Sequence, residues 1–186
     1  MEKRRRLSHL YVFILGFIML MGYSNIASAA ASADDFYYNQ SGTEVTITKY
    51  NGSSTEIDLS VVFPEASKII IESNAFFDNE SIQKVILPSS VTSIGEMAFW
   101  GCSNLQSVTF SSEIESLTLG KGVFSGCTQL ASLEIPESVN AIPESMCEGC
   151  TSLSSIKLPE SYAYIGKAAF WGCNMLKRKK SIRMQV

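Results

Sequence analysis

Residues 94–110 read I-G-E-M-A-F-W-G-C-S-N-L-Q-S-V-T-F, and residues 165–176 read I-G-K-A-A-F-W-G-C-N-M-L. Between them stand L-G-K-G-V-F-S-G-C-T-Q-L at 119–130 and I-P-E-S-M-C-E-G-C-T-S-L at 142–153, and before them I-E-S-N-A-F-F-D-N-E-S-I at 71–82. These are five copies of one unit. Their aligned core position runs Phe76, Phe99, Phe124, Cys147, Phe170, with spacings of 23, 25, 23 and 23 residues. A fixed period of this length marks a stacked repeat, because a unit so short cannot bury its own apolar side.

Each unit has two halves. A pair such as Ala98-Phe99 is followed by Gly101, Gly126, Gly149 or Gly172, with Asp78 in the first copy, all residues that tolerate a left-handed backbone and stop a short helix. The second half, Leu105-x-x-Val108-x-Phe110 and its equivalents Ile82/Val85/Leu87, Leu130/Leu133/Ile135 and Leu153/Ile156/Leu158, alternates with period two and predicts a short strand with one buried face. Pro88, Pro136 and Pro159 close three of these strands, where a missing donor is tolerated. Val91/Ile94 and Val139/Ile142 carry a second apolar pair toward the next turn. The two extra residues of the third unit fall within Ser111–Thr118, and Glu113 and Glu115 make this a surface bulge. The class is an α/β repeat solenoid: short parallel strands stacked into one sheet, with short helices or turns opposite.

The pattern A-F-x-x-C-x-x-L-x-x-I-x-L-P resembles the BspA-like, or Treponema-type, leucine-rich repeat of bacterial surface and secreted proteins, and the resemblance covers residues 69–176. Residues 30–68, with alternating Val45-Thr46-Ile47-Thr48 and a turn at Asn51-Gly52-Ser53-Ser54, are similar to the β-hairpin-like leader that caps such solenoids. Two departures stand out. Cys147 replaces the usual Phe, which is expected to leave the fourth unit under-packed, and Leu176 is followed by Lys-Arg-Lys-Lys instead of another strand.

The flanks set the compartment. Lys3, Arg4, Arg5 and Arg6, an apolar core from Leu10 to Tyr23, and the small residues Ala27-Ser28-Ala29 form a signal peptide over residues 1–29, with an alternative cleavage site after Ala33. The apolar core is short for a spanning helix, which wants roughly 20 residues, so no permanent membrane span is expected after cleavage. Removing one acid and four bases moves the formal net charge from −3 to −6. Lys177, Arg178, Lys179, Lys180 and Arg183 crowd into the basic tail 177–186 and leave the rest more acidic still. Such a body offers no basic face for phosphates, so nucleic acid is not an expected partner.

The chemistry argues against an enzyme. The single histidine, His9, lies in the signal peptide, which removes histidine-activated nucleophiles and histidine-containing zinc sites from the mature chain. Cys102, Cys127, Cys150 and Cys173 occupy one place in four successive units and read as a column of buried structural thiols rather than a metal site. Cys147-x-x-Cys150 has the spacing of a redox pair without a thioredoxin-like context, and a disulfide between column neighbours is geometrically open in an exported protein although parallel side chains disfavour it. Asn39, Asn51 and Asn79 head N-x-S triplets, Asn79 at a position expected to face inward. No catalytic residue, cofactor or metal is assigned.

Function is thereby left to the outward positions of the sheet, which the alternation assigns to Lys84 and Ile86, Ser107 and Thr109, Ser132 and Glu134, Ser155 and Lys157. Glu134 and Lys157 are also placed to pair across adjacent strands. Phe77, Trp100 and Trp171 follow the core position on the other side, either exposed to stack on a sugar or partner or half-covered by the next unit. The expected function is extracellular recognition of a protein or glycan; adhesion is what the family resemblance implies. The rival reading is a structural or truncated repeat fragment of a larger envelope protein with no ligand of its own.

Overall fold

The computed structural model describes residues 30–160 and 162–176, so both the stretch read as a signal peptide and the basic tail lie outside the described residues. The strands are β1 (Phe36–Ser41), β2 (Glu44–Tyr50), β3 (Glu56–Asp58), β4 (Lys68–Ile71), β5 (Lys84–Leu87), β6 (Val91–Ile94), β7 (Ser107–Phe110), β8 (Thr118–Leu119), β9 (Ser132–Glu134), β10 (Ala141–Ile142), β11 (Ser155–Lys157) and β12 (Tyr164–Ile165). Each coil of the solenoid contributes two strands rather than one. One column holds β2, β4, β6 and β8, paired in parallel, and repeat position continues it through β10 and β12. The other holds β3, β5 and β7, then β9 and β11, again parallel. The expected single sheet is therefore two strand columns, because the second apolar pair of each unit, such as Val91 and Ile94, makes a strand of its own with both residues buried.

The α/β class also needs correction, since the chain is a β-solenoid with little helix: among the described residues only a 3-10 turn at Ala33–Asp35 and α1 (Leu59–Val62) are helical. The segment expected to be a short helix is a run of tight turns. A left-handed residue closes it, Asp78, Gly101, Gly126, Gly149 or Gly172, and a second left-handed residue opens it four positions earlier, Asn74, Met97, Gly122, Ser145 or Ala168. A right-handed helix cannot run through such a residue. Alternate amides then serve two directions. Ala75, Phe77 and Asn79 donate three residues back within the turn, whereas Asn74, Phe76 and Asp78 donate to the carbonyls of Glu96, Ala98 and Trp100 in the next coil at 3.0, 2.7 and 2.7 Å. Cross-coil pairing replaces helical pairing, and every backbone donor in the segment is satisfied.

One interruption has a single-residue cause. Along the first column the residue after the strand donates back to the previous coil, as Gly95 does to Ile71, Gly120 to Ile94 and Gly166 to Ile142, each at 2.8 Å. Pro143 holds that place in the fourth unit and has no N–H to give. The ladder is broken there, between β8 and β10.

Phe76, Phe99 and Phe124 stack up the centre with ring centroids 4.5 and 5.6 Å apart. Where Cys147 ends this stack, the expected loss of packing is offset by its neighbour. Earlier units pair a small residue with Phe (Ala75-Phe76, Ala98-Phe99, Val123-Phe124), whereas the fourth pairs Met146 with Cys147 and buries both completely. The large side chain has moved by one position. At the other end β1 runs antiparallel to β2, and Phe36, Tyr50 and Phe63 gather with Phe76 in a ring cluster. Beyond β1, β2 and β3 pair in parallel with β4 and β5, so the strand columns begin within the stretch read as a leader.

Candidate functional site

The period-two pattern puts Val85, Val108, Leu133 and Ile156 toward the core of the second column and turns their neighbours out. Thr109, Ser132, Glu134, Ser155 and Lys157 are exposed, and Lys84, Ile86 and Ser107 are half-exposed. Register brings them into two rows. Lys84 lies opposite Ser107 and Ile86 opposite Thr109; Ser132 lies opposite Ser155 and Glu134 opposite Lys157. β9 sits against β7, with Ala131 N–H donating to Gln106 C=O at 3.4 Å.

Ion pairs bracket this face. Lys84 Nζ reaches Glu56 at 2.8 Å, and Lys157 pairs with Glu134 as the spacing foresees, a contact that pushes the Lys157 ammonium pKa upward. Both pairs are solvent-exposed and add little stability. On the same face Ser107, Thr109, Ser132 and Ser155 make no side-chain hydrogen bond among the described residues, so their hydroxyls remain available.

The three aromatics divide. Phe77 and Trp100 stack on each other at 4.7 Å with planes 12° apart, which is coil-to-coil packing with Trp100 half-covered. Trp171 stands 67% exposed on the last described coil.

The cysteine column faces inward. Sγ of Cys102, Cys127, Cys150 and Cys173 each donates at 3.1 Å to a backbone carbonyl one coil back, those of Phe76, Phe99, Phe124 and Cys147. All five cysteines are free thiols. Burial pushes the Cys102 and Cys173 thiols up to about 12 and Cys127 well above its ordinary value. For Cys147 the hydrogen bond with Cys150 acts first and burial second, in the same direction. Protonated, carbonyl-bound thiols are poor nucleophiles and poor ligands. Asn79, first in the same column, is half-buried and uses Oδ1 to accept from Ser81 and Ile82 N–H at 2.9 and 3.1 Å.

The sequence pattern assigns the corners between the two strand columns only a bulge. The structure forms a trough there of about 880 Å³, crossing three coils. Its floor is the three-residue corner Pro88–Ser90, between β5 and β6. Its walls are the longer corners on either side, nine residues between β3 and β4 and seven between β7 and β8. No periodicity reports a trough, because it arises from unequal corner lengths in neighbouring coils.

Two strand columns, a turn column and an inward row of thiols define a leucine-rich-repeat solenoid. The chain belongs to the BspA type leucine-rich repeat family, whose model matches residues 45–177 in six copies, one more than the five in-register motifs. Solved structures share the fold. A leucine-rich repeat protein of Treponema pallidum is 23% identical, with a TM-score of 0.50 over 80% of this chain and 91% of that one. A Bacteroides ovatus leucine-rich repeat protein is 32% identical, with a TM-score of 0.50 over 73% of this chain and 36% of that one. A leucine rich cell surface protein of Faecalibacterium prausnitzii is 22% identical, with a TM-score of 0.51 over 84% of this chain and 53% of that one. No curated protein matches.

Proposed function

We propose that the chain is a non-enzymatic recognition module, exported to the cell surface or beyond, that binds a macromolecule through the outward face of β5, β7, β9 and β11. The observation that carries this reading is the set of unused hydroxyls Ser107, Thr109, Ser132 and Ser155 on the outward face, on strands whose inward residues are turned to the core. Such a face suits an extracellular protein or glycan surface, where many weak polar contacts act over several strands. Residues Phe36–Ser41 and the aromatic cluster beneath them serve as a cap that shields the first coil. The description of the Faecalibacterium protein as a cell surface protein supports the location.

A panel of immobilised extracellular matrix proteins and glycans tests the reading. Saturable binding to at least one of them should fall at least about tenfold, or about 1.4 kcal/mol, when Thr109 and Glu134 are both replaced by lysine. If every saturable binding in the panel were indifferent to that double change, the sheet-face assignment would sink. The rival reading, an assembly unit without its own ligand, draws on exposed Tyr164, Trp171 and Met175 at the last described coil, and it requires no saturable binding by that face.

A further inference from the structure

We infer that the trough between the strand columns is a second binding site, distinct from the sheet face, and that it takes a neutral glycan chain. Its origin lies outside the demands of stacking. The third unit carries two residues more than its neighbours, and β4 and β6 shift register between Ile69 and Ile70, a bulge that places Thr92 on the trough. Bulges of this kind re-aim side chains next to sites. The trough is open to solvent along its length, so it suits an extended chain rather than an enclosed small molecule.

The lining chemistry selects the ligand. Many hydroxyls on this solenoid are spent on bridging coils: Thr128 donates to Ser103 C=O at 3.1 Å and Ser154 to Ala131 C=O at 3.2 Å, and on the trough itself Ser67 shares a 2.7 Å bond with Thr43 and Thr92 donates to Ile69 C=O at 3.5 Å. In the trough, Ser89, Ser90, Ser112 and Ser116 make no side-chain hydrogen bond among the described residues, and they converge from two coils. Each free hydroxyl offers one donor and two acceptor sites. Glu113 and Glu115 stand exposed at the rim, outside every ion pair of the described residues, and no cation lines the space. An anionic ligand would therefore be repelled. A lysine- or arginine-rich peptide would satisfy the two carboxylates and offer backbone carbonyls to the serines, but its charge addresses only the rim, so hexalysine is the competing ligand that the test must separate from a sugar. Sugar hydroxyls both donate and accept, and vicinal pairs of them fit a carboxylate. Half-exposed Ala66 supplies a small apolar surface for the C–H face of a ring, whereas Ile114 is turned into the core.

The test uses the purified chain and neutral hexasaccharides of glucose, galactose and N-acetylglucosamine, titrated by calorimetry, with a hexalysine peptide alongside. At least one hexasaccharide should bind saturably. Ser89→Tyr, which fills the floor, should weaken it at least about tenfold without altering the thermal midpoint, and Ser112→Tyr serves if Ser89→Tyr does not fold. Replacing Thr109 and Glu134 with lysine should leave the same binding intact, which separates this site from the sheet face. Three results would overturn the inference: no saturable sugar binding, sugar binding unchanged in the filled variants, or binding of hexalysine alone that disappears in Glu113→Gln/Glu115→Gln.

Discussion

Met97 carries a φ of 53° and Gly101 one of 71°, and the contrast shows how individual residues divide the work of the turn. Placing an L residue in that region costs roughly 1–2 kcal/mol. Met97, Ser145 and Ala168 bear that strain because the cross-coil hydrogen bonds on either side hold the backbone there. At Gly101 a side chain would meet a second obstacle, since a Cβ would lie 2.8 Å from Asp78 Oδ1. Gly101→Ala should therefore lower stability by about 1–3 kcal/mol in urea unfolding, and an unchanged midpoint would contradict the turn geometry. The closing column was readable, because four of its five members are glycine. The opening column was not, because Asn, Met, Gly, Ser and Ala share no propensity that announces a left-handed backbone. The thiols make a second prediction at this scale. Cys102 ionises near 9.0 when unfolded and near 12 when folded, so between those values only the unfolded chain releases its proton. Its contribution to stability is complete below pH 9 and is lost progressively as pH rises from about 9 toward 12, at about 1.4 kcal/mol per pKa unit. The wild-type unfolding midpoint should thus fall more steeply above pH 9 than that of Cys102→Ala, and parallel profiles would refute the buried-thiol account.

At the level of the element, the repeat is held together by what each coil hands to the next. Phe99 lies between Phe76 and Phe124 and is fully buried, so Phe99→Ala should cost about 3–5 kcal/mol in chemical denaturation. A loss below about 1 kcal/mol would mean that this residue does not stand in the central stack. Period-two alternation found the strands of the second column and their outward residues, because a strand's side chains must alternate whatever it packs against. It did not find the extent of the first column. A two-residue strand such as Ala141–Ile142 is too brief for any periodicity, and only its partner in the neighbouring coil makes it a strand. The same holds for Pro143, whose place in the sequence is unremarkable until the aligned amides of Gly95, Gly120 and Gly166 show which bond is missing.

For the whole molecule, one prediction concerns the export proposed above. The basic start, short apolar core and paired small-residue sites predict a mature N-terminus at Ala30 or Asp34, and intact mass of exported protein retaining residues 1–29 would refute it. The sequence by itself determined the solenoid, its repeat length, the inward column of thiols and the outward strand face, because each is a local pattern repeated in register and repetition averages away the ambiguity of any one copy. The absence of helix, the second strand column, the exchange of volume between Met146 and Cys147 and the serine-lined trough were decided only by the tertiary structure. Each of these depends on what lies one coil away, at a separation of about 23 residues, where hydrogen-bond partners and unequal corner lengths meet in space but leave no mark on neighbouring positions in the chain.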